Sequence, residues 1–183
     1  DRHPLVLYIG EIYMRQHDPY TGHAIEHLEE AGLELVRDPV SEWLHYINRL
    51  TVRKAKRDSR LGFKHHDWQR AWAKAGHFGK SLLKGAYMTQ VETQIIAPFH
   101  EVLAGRHILP KPIDMIETLE EAHEIHGNIE GESPLSTGIA YHIMHGLTRS
   151  GEHNGICGIF HLGPFTCMQE SVATAKIEAM VKE

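Results

Sequence analysis

Gly163-Pro164-Phe165-Thr166-Cys167-Met168 is the stretch whose residue types most directly offer chemistry. It follows an apolar run, Ile156 to Leu162, and precedes a helix-like pattern, Gln169 to Val181. That order predicts strand, tight loop and helix, with a thiol at the helix entrance. Unpaired backbone N–H groups and the positive end of the helix dipole favour thiolate there. Thiolate is the form that ligates metal or attacks an electrophile. The same position also suits a small buried hydrophobe, a common fate of free cysteine.

A second group follows the first apolar run. Gly10-Glu11-Ile12-Tyr13-Met14-Arg15 comes directly after Leu5 to Ile9. A loop after a parallel strand lies at the carboxyl edge of the sheet, where open α/β folds bind ligands. If the strand before Gly163 is parallel to the first, both loops share that edge. Glu11, Tyr13 and Arg15 would then face Cys167 across a cleft, with Gly10, Gly163, Pro164 and Phe165 lining it. An ion pair between Arg15 and Glu11 that merely fixes the loop is the competing reading.

Histidine is abundant, 16 residues in all, and such a chain can change charge considerably between pH 5 and 8. His23 and His27, His123 and His126, and His142 and His145 are spaced to share a helical face and bind metal. With so many histidines, such pairs also arise by chance. Ala122-His123-Glu124-Ile125-His126 lacks the spacing of a zinc-protease motif. Cys157 is ten residues from Cys167 and lacks zinc-knuckle spacing. A strand between them separates the sulfurs by roughly 20 Å at 3.3 Å per residue. Cys157 is therefore read as a core residue. No dinucleotide fingerprint, Walker A motif or GxSxG elbow occurs.

These groups need elements to position them. Leu5 to Gly10 reads as a buried strand, Thr21 or Tyr20 through about Ala31 as a helix stopped by Gly32, and Leu33 to Val36 as a second strand. Together they make a βαβ unit. Ser41 is placed to cap a helix carrying Trp43, Leu44, Ile47 and Leu50, which ends in the basic run Arg53 to Arg57. Residues 65–104 look mostly helical, with breaks or close helix packing expected near Gly76, Gly79 and Gly85 and an end or kink at Pro98. Helices are expected over Ile113 to Ile125 and from Ser133-Pro134, with Ser133 as cap and Leu135, Ile139, Ile143 and Leu147 inward. The fold expected is α/β, a parallel Rossmann-like or flavodoxin-like sheet. It is read as one domain over residues 1–183, with a helical insertion at about 41–130.

Composition narrows the classes. The chain has 183 residues, 42% hydrophobic and 23% charged, with a net charge of -5. This is a globular composition, not a disordered one, and gives no nucleic-acid footprint. No apolar run is long enough to cross a membrane. Two cysteines cannot make a disulfide framework, so a reducing cytoplasm is expected. There is no initiator Met, a strand begins by residue 5, and the last helix is still running at Lys182-Glu183. The chain is read as an excised or processed piece of a longer protein.

Two stretches carry a family resemblance. Ile9 to Arg15 through Ser41-Glu42-Trp43, and Gly131-Glu132-Ser133 through Gly163 to Met168, resemble 2-hydroxyacyl-CoA dehydratase-related proteins. These are large relatives of the CoA-substrate-specific enzyme activases. The resemblance implies an oxygen-sensitive iron–sulfur system of anaerobes, with a [4Fe–4S] or related cluster held by cysteines from separate segments. It implies an ATP-dependent activase module and an acyl-CoA as partners, besides the remaining domains of the parent protein. Cys167 matches the family's loop cysteine and is the metal-ligand candidate. The family loop commonly runs Cys-Met-Pro-Gly, whereas here it is Cys167-Met168-Gln169-Glu170. One ligand cannot hold a four-iron cluster, which takes about four thiolates. The function expected is a cluster- or substrate-supporting domain, not catalytic alone. Two other readings stay open: a non-catalytic scaffold domain of the family, and a metal-free small-molecule binding module.

Overall fold

The computed structural model describes residues 3–37, 39–99, 101–103, 111–126, 128–146 and 155–182. They fall into two compact units, one of residues 1–39 and 105–183, the other of residues 40–104.

The first unit is built on β1 (Leu5–Gly10), an aliphatic run buried along its whole length. Burial on both faces is what such a continuous run needs. β1 is central in a three-stranded parallel sheet, between β2 (Glu34–Arg37) and β3 (Ile156–Leu162). Leu5 pairs with Glu34 and Tyr8 with Arg37 on one side. Val6 pairs with Gly158 and Gly10 with Leu162 on the other. Tyr8 and Phe160, partners in this register, stack with ring centroids 5.6 Å apart.

Short helices α1 (Ile12–Gln16) and α2 (Ala24–Glu30) join β1 to β2. Three more, α5 (Pro112–Glu121), α6 (Ser133–Met144) and α7 (Met168–Lys182), complete the unit. Leu119, Ile125 and Met180 form a buried cluster, with Tyr141 and Met144 packed against it. Gly138 lets α6 close on α5: a Cβ there would lie 2.8 Å from the Met115 Cβ.

The second unit is a helical hairpin, α3 (Val40–Lys64) and α4 (Trp68–Ile96). Asp67 caps α4, its carboxylate accepting from the Arg70 N–H at 3.1 Å. At the turn, a Cβ on Gly62 would lie 2.9 Å from Ala71 backbone atoms, so the two helices touch backbone to backbone.

Several expectations are corrected. The chain does not adopt a Rossmann-like or flavodoxin-like α/β fold: the described residues are 67% helical, with only a small sheet among them. A doubly wound sheet needs five or six strands, and only three segments form strands among the described residues. The stretch between β2 and β3 forms helices alone there. α4 runs unbroken past Gly76, Gly79 and Gly85. α3 continues to Lys64, so the basic run lies inside it rather than at its end. Ser41 and Ser133 do not cap: α3 starts at Val40, and Glu132 precedes α6 without a side-chain cap. Ser41 instead donates to Glu92 at 3.2 Å.

Cys157 is exposed, not core. The register shifts between Leu5 and Val6, so Cys157 is the extra residue of a bulge on an outer strand. Its Sγ donates to the Leu5 carbonyl at 3.2 Å.

Candidate functional site at the sheet's carboxyl edge

β1 and β3 are parallel, so the loops after them leave the sheet side by side. The Glu11 N–H donates to the Leu162 carbonyl at 2.9 Å, continuing the ladder one step past Gly10. This contact demands glycine before it. Gly10 has φ 128°, and a Cβ there would lie 1.8 Å from the Leu162 oxygen. Gly163 is packed on α7 instead, where a Cβ would meet the Glu170 Cβ at 2.6 Å.

Glu11 caps α1, its carboxylate accepting from the Met14 N–H at 2.8 Å. Arg15, one turn on, is buried. Both lie within electrostatic reach of Glu132, as does Glu170. Glu132 accepts from the Ile12 N–H at 3.1 Å and so ties the start of α6 to the β1 loop. Burial is the chief cause that lifts its carboxyl above the ordinary 4.5. The Glu11 and Glu170 charges add to the rise, while the Ile12 N–H and Arg15 oppose it.

Glu170 is the most deeply placed acid among the described residues, 2% exposed on α7. Its Oε2 lies 2.5 Å from His161 Nε2 on β3 and 3.5 Å from the Ser136 hydroxyl. Thr174 fixes the protons. Its hydroxyl donates to the Glu170 carbonyl at 2.8 Å, so at 3.1 Å it must accept from His161 Nδ1–H. His161 Nε2 and Glu170 Oε2 thus meet in a hydrogen bond at the heart of the site. The other oxygen, Oε1, is buried with no hydrogen-bond partner among the described residues. Ser133, at the start of α6, donates to the backbone and side-chain oxygens of Gln169.

The expected residues separate into two groups. Gly10, Glu11 and Arg15 join the Glu132–Glu170–His161 group. Tyr13 is half exposed and stacks on His17, with Tyr20 edge-on to it. Pro164 and Phe165 lie in solvent, Phe165 at 97% exposure. Cys167 is half-buried immediately before α7, its carbonyl accepting from the Ser171 N–H at 3.0 Å. Glu132, His161 and Glu170 were not among the expected residues. A signal existed for Glu170: it shares the 3-4-3 spacing of Ala173, Ile177 and Met180, the buried stripe of α7. A carboxylate on a buried stripe needs a partner.

The histidine pairs do not converge. His142 and His145 each direct Nδ1 to a carbonyl of their own helix, Gly138 and Tyr141. His123 lies in the turn after α5, and His126 accepts from the Asn128 N–H. His23 approaches Glu26 at 3.1 Å and Asp18 at 3.8 Å, while His27 approaches Glu30. Asp18, His23 and Glu26 could gather at one point, but they are mostly exposed and already satisfy one another.

Comparison with protein-family models, curated proteins and solved structures returns no match. The residues alone therefore test the fit of an iron–sulfur cluster. The chain has two cysteines. Cys157 lies beside Leu5 at one end of the sheet, and Cys167 follows β3 at the other. A four-iron cluster takes about four thiolates. The donor set at this edge does not make a complete cluster site. Among the described residues, no helix is long and apolar enough to cross a membrane.

Proposed function

We propose that this chain is a substrate- or cluster-supporting domain of a 2-hydroxyacyl-CoA dehydratase-related iron–sulfur protein. Cys167 supplies one thiolate there, and the other ligands come from outside this sequence. The parent works in the cytoplasm of an anaerobe, with an ATP-dependent activase module and an acyl-CoA as partners. The reading is supported by one observation above all: the pairing of Gly10 with Leu162 sets the Gly10–Arg15 and Gly163–Cys167 loops on the same sheet edge. These loops carry the resemblance. In this reading the chain is not catalytic alone. Its own residues hold a thiol just before α7, the helix that also carries Glu170 of the buried His161–Glu170 pair.

Anaerobic reconstitution of the full-length parent with iron and sulfide tests the ligand role. The wild type is expected to retain more iron and sulfide than Cys167→Ser. Equal contents in the two would remove Cys167 as a ligand.

Gln169 favours the second reading, a scaffold domain of the same family without the cluster. Where the family loop commonly has Pro, Gln169 accepts from the Ser133 hydroxyl and packs against Gly131. The loop is thereby fastened to α6 by groups that need no metal. The polar network of Arg15, Glu132 and Glu170 favours the third, a metal-free small-molecule module. A ligand at 100 times its dissociation constant stabilises by about 2.7 kcal/mol. Thermal shifts with acyl-CoAs and nucleotides separate these readings: no shift with any of them removes the binding module and leaves the scaffold.

A further inference from the structure

The helical hairpin carries a face that its own two helices leave uncovered. Trp72, Gly76, Gly79, Leu83 and Ala86 recur along α4 at spacings of four, three, four and three. That is the spacing of a coiled-coil seam. Trp72 is 69% exposed and Leu83 74%, and Tyr87 beside them is 68% exposed. Ala86 and Gly76 are exposed as well. At the hairpin tip, Phe63 holds Trp68 and Trp72 edge-on at 5.9 and 5.6 Å, so the aromatic end is pre-arranged.

The two glycines sharpen the point. Gly62 and Gly85 are explained within the hairpin, by Ala71 and Asn48. Gly76 and Gly79 are not: a Cβ on either would meet nothing within 4 Å. Glycine weakens a helix interior, and nothing inside the unit calls for it here. Between Trp72 and Leu83, the pair instead leaves a shallow gap where a second helix can bring its side chains close to the α4 backbone. From Trp72 to Tyr87 the face runs about 22 Å at 1.5 Å per residue, four turns of helix.

Charge selects the occupant. Residues 40–104 carry 11 Lys and Arg against 5 Asp and Glu, while the rest of the chain carries 8 against 19. Lys80 and Lys84 are exposed beside the seam. Two copies of the hairpin would set one basic surface against another, which disfavours self-pairing. A flat bilayer surface would make no use of the glycine gap. We propose that the outer face of α4 docks an acidic amphipathic helix of a partner protein. Its apolar stripe would lie along Trp72, Gly76, Gly79 and Leu83, with its carboxylates toward Lys80 and Lys84. This is the helix-in-groove mode of recognition.

The test uses the full chain and a dye-labelled synthetic helix of Leu and Glu heptads, with a Leu and Lys version as control. Fluorescence anisotropy is expected to show binding of the acidic helix, weakening with added salt, and at least tenfold weaker binding of the basic one. Gly76→Leu fills the gap, and Leu83→Glu reverses the local chemistry. Each should weaken binding at least tenfold with far-ultraviolet circular dichroism unchanged. Gly76→Leu faces open space, so it keeps the assay usable if Leu83→Glu disturbs the fold. Failure of the acidic helix to bind, or equal binding by wild type and Gly76→Leu, overturns the proposal. So does dimerisation in sedimentation runs that Gly76→Leu abolishes. Binding to phosphatidylserine vesicles or to RNA in place of the acidic helix overturns it too.

Discussion

His161 on β3 and Glu170 on α7 meet through Nε2 and Oε2 at 2.5 Å, with the imidazole held from its other side by Thr174. The contact fastens the strand to the start of the helix that follows it, across the loop that carries Cys167. Both side chains are largely removed from water. Removing one member of such a pair strands the other, at a cost of about 3–5 kcal/mol. His161→Ala is therefore expected to lower the unfolding free energy by about 3 kcal/mol in urea titrations. A double-mutant cycle with Glu170→Gln should give a coupling above about 1 kcal/mol. Simple additivity of the two substitutions would show that the pair does not act as a unit.

Glu132 makes stability depend on pH in a defined direction. Its carboxyl is raised above the ordinary 4.5, chiefly by burial. The folded state therefore holds the proton more tightly than the unfolded state. Stability through this group is highest below 4.5 and falls as pH climbs through the raised folded value. Above that value the loss is complete and the contribution is flat. Glu132→Gln cannot ionise. Its stability relative to wild type should rise with pH across that window, read from thermal unfolding at closely spaced pH values. A difference that stays constant or falls with pH would contradict the burial of this carboxyl.

The strands were the most legible part of the sequence, and the reason is physical. Leu5–Gly10 and Ile156–Leu162 appear where their aliphatic runs put them: β1 is buried along its whole length, as a continuous apolar run demands, and β3 is half-buried beside it. The second strand, Glu34–Arg37, lies one residue later than its apolar run alone suggests. Sheet size was not legible, since it depends on how many segments become strands and not on the quality of any one. Of the breaks or close packing expected at Gly76, Gly79 and Gly85, only close packing at Gly85 occurs, against Asn48. Glycine weakens a helix, but the neighbouring turns of α4 keep it intact. At the edge, Glu11 and Arg15 were legible from their place after a strand. Glu132 and Glu170 were not, because only tertiary packing brings residues 120 and more positions away to that loop.

The glycines of the first unit separate by neighbourhood. Gly10 combines φ 128° with a backbone oxygen where its Cβ would sit, and neither strand can give way without breaking the ladder. Gly10→Ala is expected to cost about 3 kcal/mol, the upper end for a residue forced into a glycine-only conformation. Gly158, on the same pair of strands, faces open space. Gly158→Ala should be neutral or stabilise by up to about 1 kcal/mol. Chemical denaturation of the two variants side by side checks both. Equal effects would show that the close approach at Leu162 does not constrain the backbone.

The two thiols give a test of the sheet itself. Cys157 lies beside Leu5, while Cys167 follows the far end of β3. Five residues of strand between Cys157 and Leu162 already span about 16 Å, and a disulfide needs Cα atoms within about 7 Å. Mild oxidation of the folded chain should therefore yield no Cys157–Cys167 bridge. The same treatment in denaturant, where the ten-residue separation closes easily, should yield it. Cys157 is open to solvent and Cys167 is half-buried, yet the Cys157 Sγ is engaged by the Leu5 carbonyl. Mass spectrometry of peptides after oxidation reads the outcome. A bridge formed under native conditions would mean that β3 does not hold its two ends apart, and the shared edge of the Gly10 and Gly163 loops would fall with it.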